Sequence, residues 1–210
     1  KLTGNFETAL EESCRILNVK GNLIPSTLDH IDLEATMKDG SIIHGESTIQ
    51  KNLSGINKIA LTPKTAFCNP KSIEIIKKSD FIIIGPGSLY TSIIPNFLVD
   101  GIVKAIHESN AKKILVCNVA TQLSETDKFN AADHFMEIQK YTKNLKIDYF
   151  LVNNRLDKLG DDFPTSSVVE LGELSNLPTN IIKKDLMNDN FKGHHDSDKL
   201  SNEIMKIIEK

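Results

Sequence analysis

Residues 81–95 read FIIIGPGSLYTSIIP: four apolar residues run into a Gly-Pro-Gly-Ser turn, followed by a stretch rich in hydroxyls. A run this short and β-branched, closed by a turn signal, predicts a fully buried strand of a parallel sheet. The turn then sits at that strand's carboxyl end. Open α/β sheets bind ligands there, beside helix N-termini whose free N–H groups favour anions. A phosphate is the expected guest. Pro95 disfavours the α region at Ile94 yet suits the first turn of a helix, so a short helical turn over 88–93 and a second helix over 95–108 are expected. Two helix starts would then lie near one strand end.

The flanking sequence supplies the rest of such a fold. A helix is expected over 5–18, with Asn5 as N-cap, followed by two alternating runs around Asp39-Gly40, a two-residue hairpin signal. In CNPKSIEIIKKSD, Asn69 can cap a helix with Pro70 in its first turn and Ile73, Ile75 and Ile76 on its buried side. Beyond residue 84, strands are expected at 113–119, 149–154, 166–171 and 180–186. Helices are expected near 130–144 and after Asp198, and residues 155–165 read as loop. This alternation predicts a parallel sheet covered on both faces, with an antiparallel hairpin arm. The whole chain, 1–210, is expected to form a single α/β domain.

With 25 basic and 28 acidic side chains and no Lys/Arg block, the chain lacks the electrostatic footprint of a nucleic-acid or membrane-surface binder. A small polar ligand fits better. Cys14, Cys68 and Cys117 show no paired spacing and sit in apolar surroundings, as reduced, buried thiols do, and no apolar stretch is long enough to span a bilayer. A cytoplasmic protein is expected. The free edge of the hairpin arm is a place where a second copy could pair, giving a homo-oligomer.

Three polar clusters close predicted strands. Gly85-Pro86-Gly87-Ser88 is neither a Walker A loop nor Gly-x-Gly-x-x-Gly. Its backbone N–H groups, with the hydroxyls of Ser88, Thr91 and Ser92, suit a phosphate or diphosphate, and Tyr90 suits either stacking on a ring or burial. In CNVATQLSETD, Asn118, Thr121, Gln122, Glu125, Thr126 and Asp127 mix amides, hydroxyls and carboxylates able to read a base or sugar. Ser124 reads equally as an N-cap for the following helix. In LVNNR, Asn153 and Asn154 end a strand and Arg155 can grip a phosphate with two donors. His194-His195-Asp196 reads as a polar loop rather than a metal site, since no further ligands accompany it. His44 should face solvent and His134 lies within a helical pattern; neither has a visible partner in the sequence.

The stretches IIIGPGSLYTSIIPNFLVDGI, NVATQLSETDKFNAADHF and DYFLVNN, with VKGNLIPSTL, a hairpin ending in GES and HDSDKL, make the chain resemble the gluconeogenesis-factor (YvcK-like) family. That family is related to the 2-phospho-L-lactate transferases (CofD-like). The resemblance implies a Rossmann-like three-layer fold. It also implies a glycine-rich strand-turn unit near the family's N-terminus that helps hold a nucleotide; this sequence lacks it, so the domain is expected to be N-terminally incomplete. Where the family tends to have Pro-Gly and a later Gly, this chain has Leu123-Ser124 and Lys128.

What the resemblance implies for function is a regulator that binds a nucleotide sugar of the UDP-N-acetylglucosamine type and is linked to carbon metabolism, cell shape and envelope synthesis. No cofactor beyond that UDP-sugar or another nucleotide is expected. The alternative is a transferase moving a phospholactyl-like group to a deazaflavin precursor, the one reading in which a divalent metal would take part. The expected binding set is Gly85, Gly87, Ser88, Tyr90, Thr91, Ser92, Asn118, Thr121, Gln122, Asp127, Asn153, Asn154 and Arg155.

Overall fold

The computed structural model describes residues 6–209, so the expected cap at Asn5 lies outside the described residues. A four-stranded parallel sheet has the order β4 (Phe81–Ile84), β5 (Lys112–Val116), β6 (Tyr149–Asn153), β7 (Asn180–Lys184). A smaller antiparallel sheet has the order β2 (Ile42–His44), β1 (Asp32–Met37), β3 (Ile56–Thr62). This is an α/β fold.

Alternation along β5 divides the core between the two faces of the parallel sheet. Ile114 and Val116 join Leu151, Leu186 and Ile207, the last carried by α7 (Ser197–Ile208). Leu115 and Cys117 face the other way, into the larger core with Phe150, Val152 and the Phe135 and Ile138 side chains of α6 (Ala131–Thr142). The Phe135 and Phe150 rings pack with centroids 5.3 Å apart. Helix, sheet and helix therefore form three layers.

Ahead of the parallel sheet come α1 (Phe6–Ile16), on the predicted first helix, and the short α2 (Glu46–Ile49). Local signals account for much of this. Asn69 caps α3 (Pro70–Lys78), its side chain accepting from the Lys71 N–H at 3.0 Å, with Pro70 in the first turn. Asn130 and Asp133 form a reciprocal capping box at the start of α6. The hairpin is present, but its loop has three residues: Gly40 alone takes positive φ, +87°, and Met37 bonds both Gly40 and Ser41. That is a turn with a glycine bulge rather than a two-residue turn.

Other expectations are corrected. β4 is the outer strand of the described sheet, and Ile83 is 44 % exposed. An apolar run reports burial only where neighbours lie on both sides, and β4 has β5 alone. Residues 166–171 form no strand. Val168 makes a single bridge to Ala120, so this segment braces the loop after β5 and stays out of the sheet. The helix after the turn does not divide at Pro95. A π-helical turn (Leu89–Ile93) runs directly into α4 (Ile94–Leu98), and the break comes at Gly101, φ +99°, before α5 (Ile102–Glu108). One helix start, not two, therefore adjoins the β4 end. In α3, Ile73 and Ile76 are half-buried but Ile75 is exposed. Cys117 alone of the three cysteines is fully buried, and burial pushes its thiol up to about 12.

Candidate functional site

The turn after β4 owes its shape to Gly85. Its φ is +81°, and a Cβ there would lie 3.0 Å from the Val116 carbonyl oxygen. Gly87 needs no such freedom, since a Cβ would meet Ile93 and Ser92 at an ordinary 3.6 Å. The Asn118 amide clamps the turn to the end of β5, donating to the Gly87 carbonyl at 2.9 Å and accepting from its N–H at 3.3 Å. The Ser88 carbonyl accepts from the Ser92 and Ile93 N–H groups, winding one π-helical turn, a form concentrated at functional positions. The Ser88 hydroxyl makes no capping bond, and neither the Ser88 nor the Leu89 N–H has a partner among the described residues.

Beside this turn opens a cavity of about 720 Å³. Gly87, Ser88, Asn118, Thr121 and Gln122 line it, so the structure brings together two of the three predicted clusters. Gln122 donates its amide to the Ser88 oxygen at 2.6 Å, leaving the Ser88 proton unspent. Its own Oε1 is buried without a partner. Thr121 accepts from the Ser167 N–H at 2.9 Å, so its hydroxyl proton is also unspent. The far walls are Gln50, Phe163, Ser166, His194 and His195, none of them in the expected set.

His195 Nε2 donates to the Cys117 carbonyl at 3.1 Å, and burial pushes its pKa down, favouring the neutral ring, in which Nδ1 is the acceptor. Phe163 stacks edge-on with His194 at 5.3 Å and rests against Gly193, where there is no room for a side chain. The signal for this wall was the run His194-His195-Asp196, whose third member caps α7. Nothing in the loop 155–165 marked Phe163.

Several expected residues stand elsewhere. Thr91 is buried and donates its hydroxyl to Glu125 Oε1 at 2.9 Å, while the Tyr90 N–H donates to Glu125 Oε2 at 3.1 Å. A buried carboxylate thus takes the donors that a phosphate was expected to use. Burial pushes the Glu125 pKa up, opposed by these same bonds. Tyr90 is buried in the core, where burial, and then the nearby Glu137 carboxylate, push its hydroxyl pKa up. Ser92 is exposed and stands outside the cavity lining, as do Gly85 and Asp127, the latter accepting from the Ser124 N–H at 2.8 Å.

The third cluster shares the sheet edge but not the cavity. The Asn153 amide is spent on the Arg155 carbonyl and the Leu186 N–H, and Asn154 is exposed. Arg155 pairs with Asp157 at 2.9 Å and with Asp189, which raise its pKa. Its planar fork is thereby occupied by carboxylates. No group of three or more His, Cys, Asp or Glu side chains is arranged to hold a metal ion among the described residues.

The loop between β5 and α6 contains no N-cap at Ser124. Ser124 and Lys128 instead adopt positive φ, +69° and +64°, the conformation glycine takes most readily. Non-glycine residues pay about 1–2 kcal/mol each for it, and the buried Ser124 hydroxyl has no partner. Ser124→Gly and Lys128→Gly are therefore each expected to stabilise the protein by about 0.5–1.5 kcal/mol, net of the unfolded-state entropy glycine adds. Thermal unfolding of the single and double variants checks this; a fall in melting temperature for both would contradict the strained loop.

A family model described as 2-phospho-L-lactate transferase CofD matches residues 1–209. The gluconeogenesis factor of Halalkalibacterium halodurans is 43% identical over 152 residues, which are 72% of this chain and 47% of the relative. That of Bacillus subtilis is 42% identical over 153 residues, 73% of this chain and 48% of the relative. The chain thus spans about half the length of these curated relatives. A crystal structure of a UPF0052-family protein from Bacillus halodurans superposes with a TM-score of 0.88 at 35% identity, covering 97% of this chain and 68% of that one.

Proposed function

We propose, from the premise that this chain belongs to the 2-phospho-L-lactate transferase CofD family together with the gluconeogenesis factors, that it binds a nucleotide sugar of the UDP-N-acetylglucosamine type. In this proposal it acts as a regulator of carbon metabolism, cell shape and envelope synthesis in the cytoplasm. The observation that carries the proposal is the set of unspent neutral donors on residues lining one cavity: the Ser88 N–H group and the Ser88 and Thr121 hydroxyls. A diphosphate diester spreads its charge over several oxygens and can be held by such donors at a helix start. The cavity volume suits a ligand of this class, with Phe163 as a face for the base and the Asn118 and Gln122 amides within its wall.

The runner-up is transfer of a phospholactyl-like group to a deazaflavin precursor, favoured by the description of the family model. Transfer requires stabilising charge that develops in the transition state, by a metal or by positioned cations. A divalent metal belongs to that reading. Calorimetry of the protein at its natural length against UDP-N-acetylglucosamine, UDP, GDP and NAD, with and without Mg²⁺, separates the two. Preference for the UDP-sugar is expected. Efficient transfer to a deazaflavin acceptor without measurable UDP-sugar affinity would replace the binding reading by the enzymatic one.

A further inference from the structure

A second cavity, about 640 Å³, lies between α6 and β3, an outer strand of the antiparallel sheet. Ile59, Leu61 and Leu98 give it an apolar lining, and Lys58, Lys64, Lys140 and Lys143 surround it. Lys140 pairs with Glu137 at 2.6 Å, whereas Lys58, Lys64 and Lys143 have no carboxylate at ion-pair distance among the described residues. On a chain whose acidic side chains outnumber its basic ones, this is a local reversal of sign. The edge is not open for simple strand addition, because the Tyr141 hydroxyl already accepts from the Ile59 N–H at 3.2 Å.

We propose that this groove docks an acidic segment of a partner protein, which seats an apolar side chain between Leu61 and Leu98 and sets its carboxylates against the lysine rim. Lysine on an edge strand commonly discourages sheet-to-sheet pairing, and cations suit a helix C-terminus. Those effects account for Lys58 and for Lys143 separately, but not for the apolar groove they surround. A second copy of this chain related by a two-fold axis would set lysines against lysines, so charge complementarity selects an acidic partner over self-association. The groove is separate from the nucleotide-sugar reading and does not depend on it.

The test uses a fluorescein-labelled ten-residue peptide of aspartate and glutamate containing two leucines, followed by anisotropy and by backbone amide NMR shifts. The expected result is salt-sensitive binding, with shifts confined to β3 and the last turns of α6, weakened about tenfold or more by the triple variant Lys58→Glu/Lys64→Glu/Lys143→Glu. Circular dichroism of that variant establishes that it folds. If the triple variant is unfolded, the three single reversals carry the test, each expected to weaken binding measurably. Absence of binding at millimolar peptide, shifts elsewhere, or affinity unchanged by charge reversal would overturn the proposal. Equal shifts at these lysines with inorganic phosphate alone would also overturn it, in favour of a small-anion site.

Discussion

Gly85→Ala is expected to destabilise the protein by about 2–3 kcal/mol, a fall in melting temperature of roughly 4–12 °C for a chain of this size. Two costs combine. An L-residue held at φ +81° pays about 1–2 kcal/mol in the left-handed region, and the added methyl would stand 3.0 Å from the Val116 carbonyl oxygen and 3.2 Å from the end of Ile93. The end of the Ile93 side chain can shift, but the Val116 carbonyl belongs to the inner strand β5 and does not give way cheaply. Gly87→Ala, two residues on, meets only ordinary contacts, and its melting temperature should stay within about 2 °C of wild type. Thermal unfolding of the pair gives the comparison. If Gly87→Ala proved the more damaging to stability, the turn would be held by something other than the close approach of Gly85 to β5.

What the sequence made legible was the part governed by local chemistry. The β4 strand and its turn, the Asn69-Pro70 helix start and the parallel run of β5 and β6 each follow from residues within one element and its caps. What stayed hidden depends on partners distant in the chain. Whether Phe81–Ile84 is central or outermost is decided by which strands flank it, and the apolar run is the same in both cases. Residues 166–171 are β-branched enough for a strand, yet their hydrogen bonds go to the loop at 119–121.

The candidate site divides in the same way. Ser88, Thr121 and Gln122 were visible because hydroxyls and amides cluster at strand ends. Glu125 was visible as a residue but not as the acceptor that claims Thr91 across 34 positions of sequence. Arg155 read as a phosphate ligand because its salt partners Asp157 and Asp189 are loop residues with no pattern to announce the pairing. Phe163 reaches the cavity only because Gly193, 30 residues later, leaves its ring a place to rest.

The most direct measurement is the affinity of UDP-N-acetylglucosamine for Ser88→Ala and Thr91→Ala, taken by calorimetry alongside the thermal stability of each variant. Ser88 faces the cavity with an unspent proton and makes no helix-capping bond, so its loss removes one charge-assisted hydrogen bond to the ligand. That is worth about 1.5–3 kcal/mol, or roughly ten- to hundredfold in affinity, while stability falls by about 0.5–1.5 kcal/mol for the bond Ser88 accepts from Gln122. Thr91 faces away and serves buried Glu125, so Thr91→Ala should cost about 1–3 kcal/mol of stability while leaving affinity within a few-fold of wild type. Wild-type UDP-sugar affinity in Ser88→Ala, or a loss confined to Thr91→Ala, would contradict the assignment of this turn as the phosphate cradle.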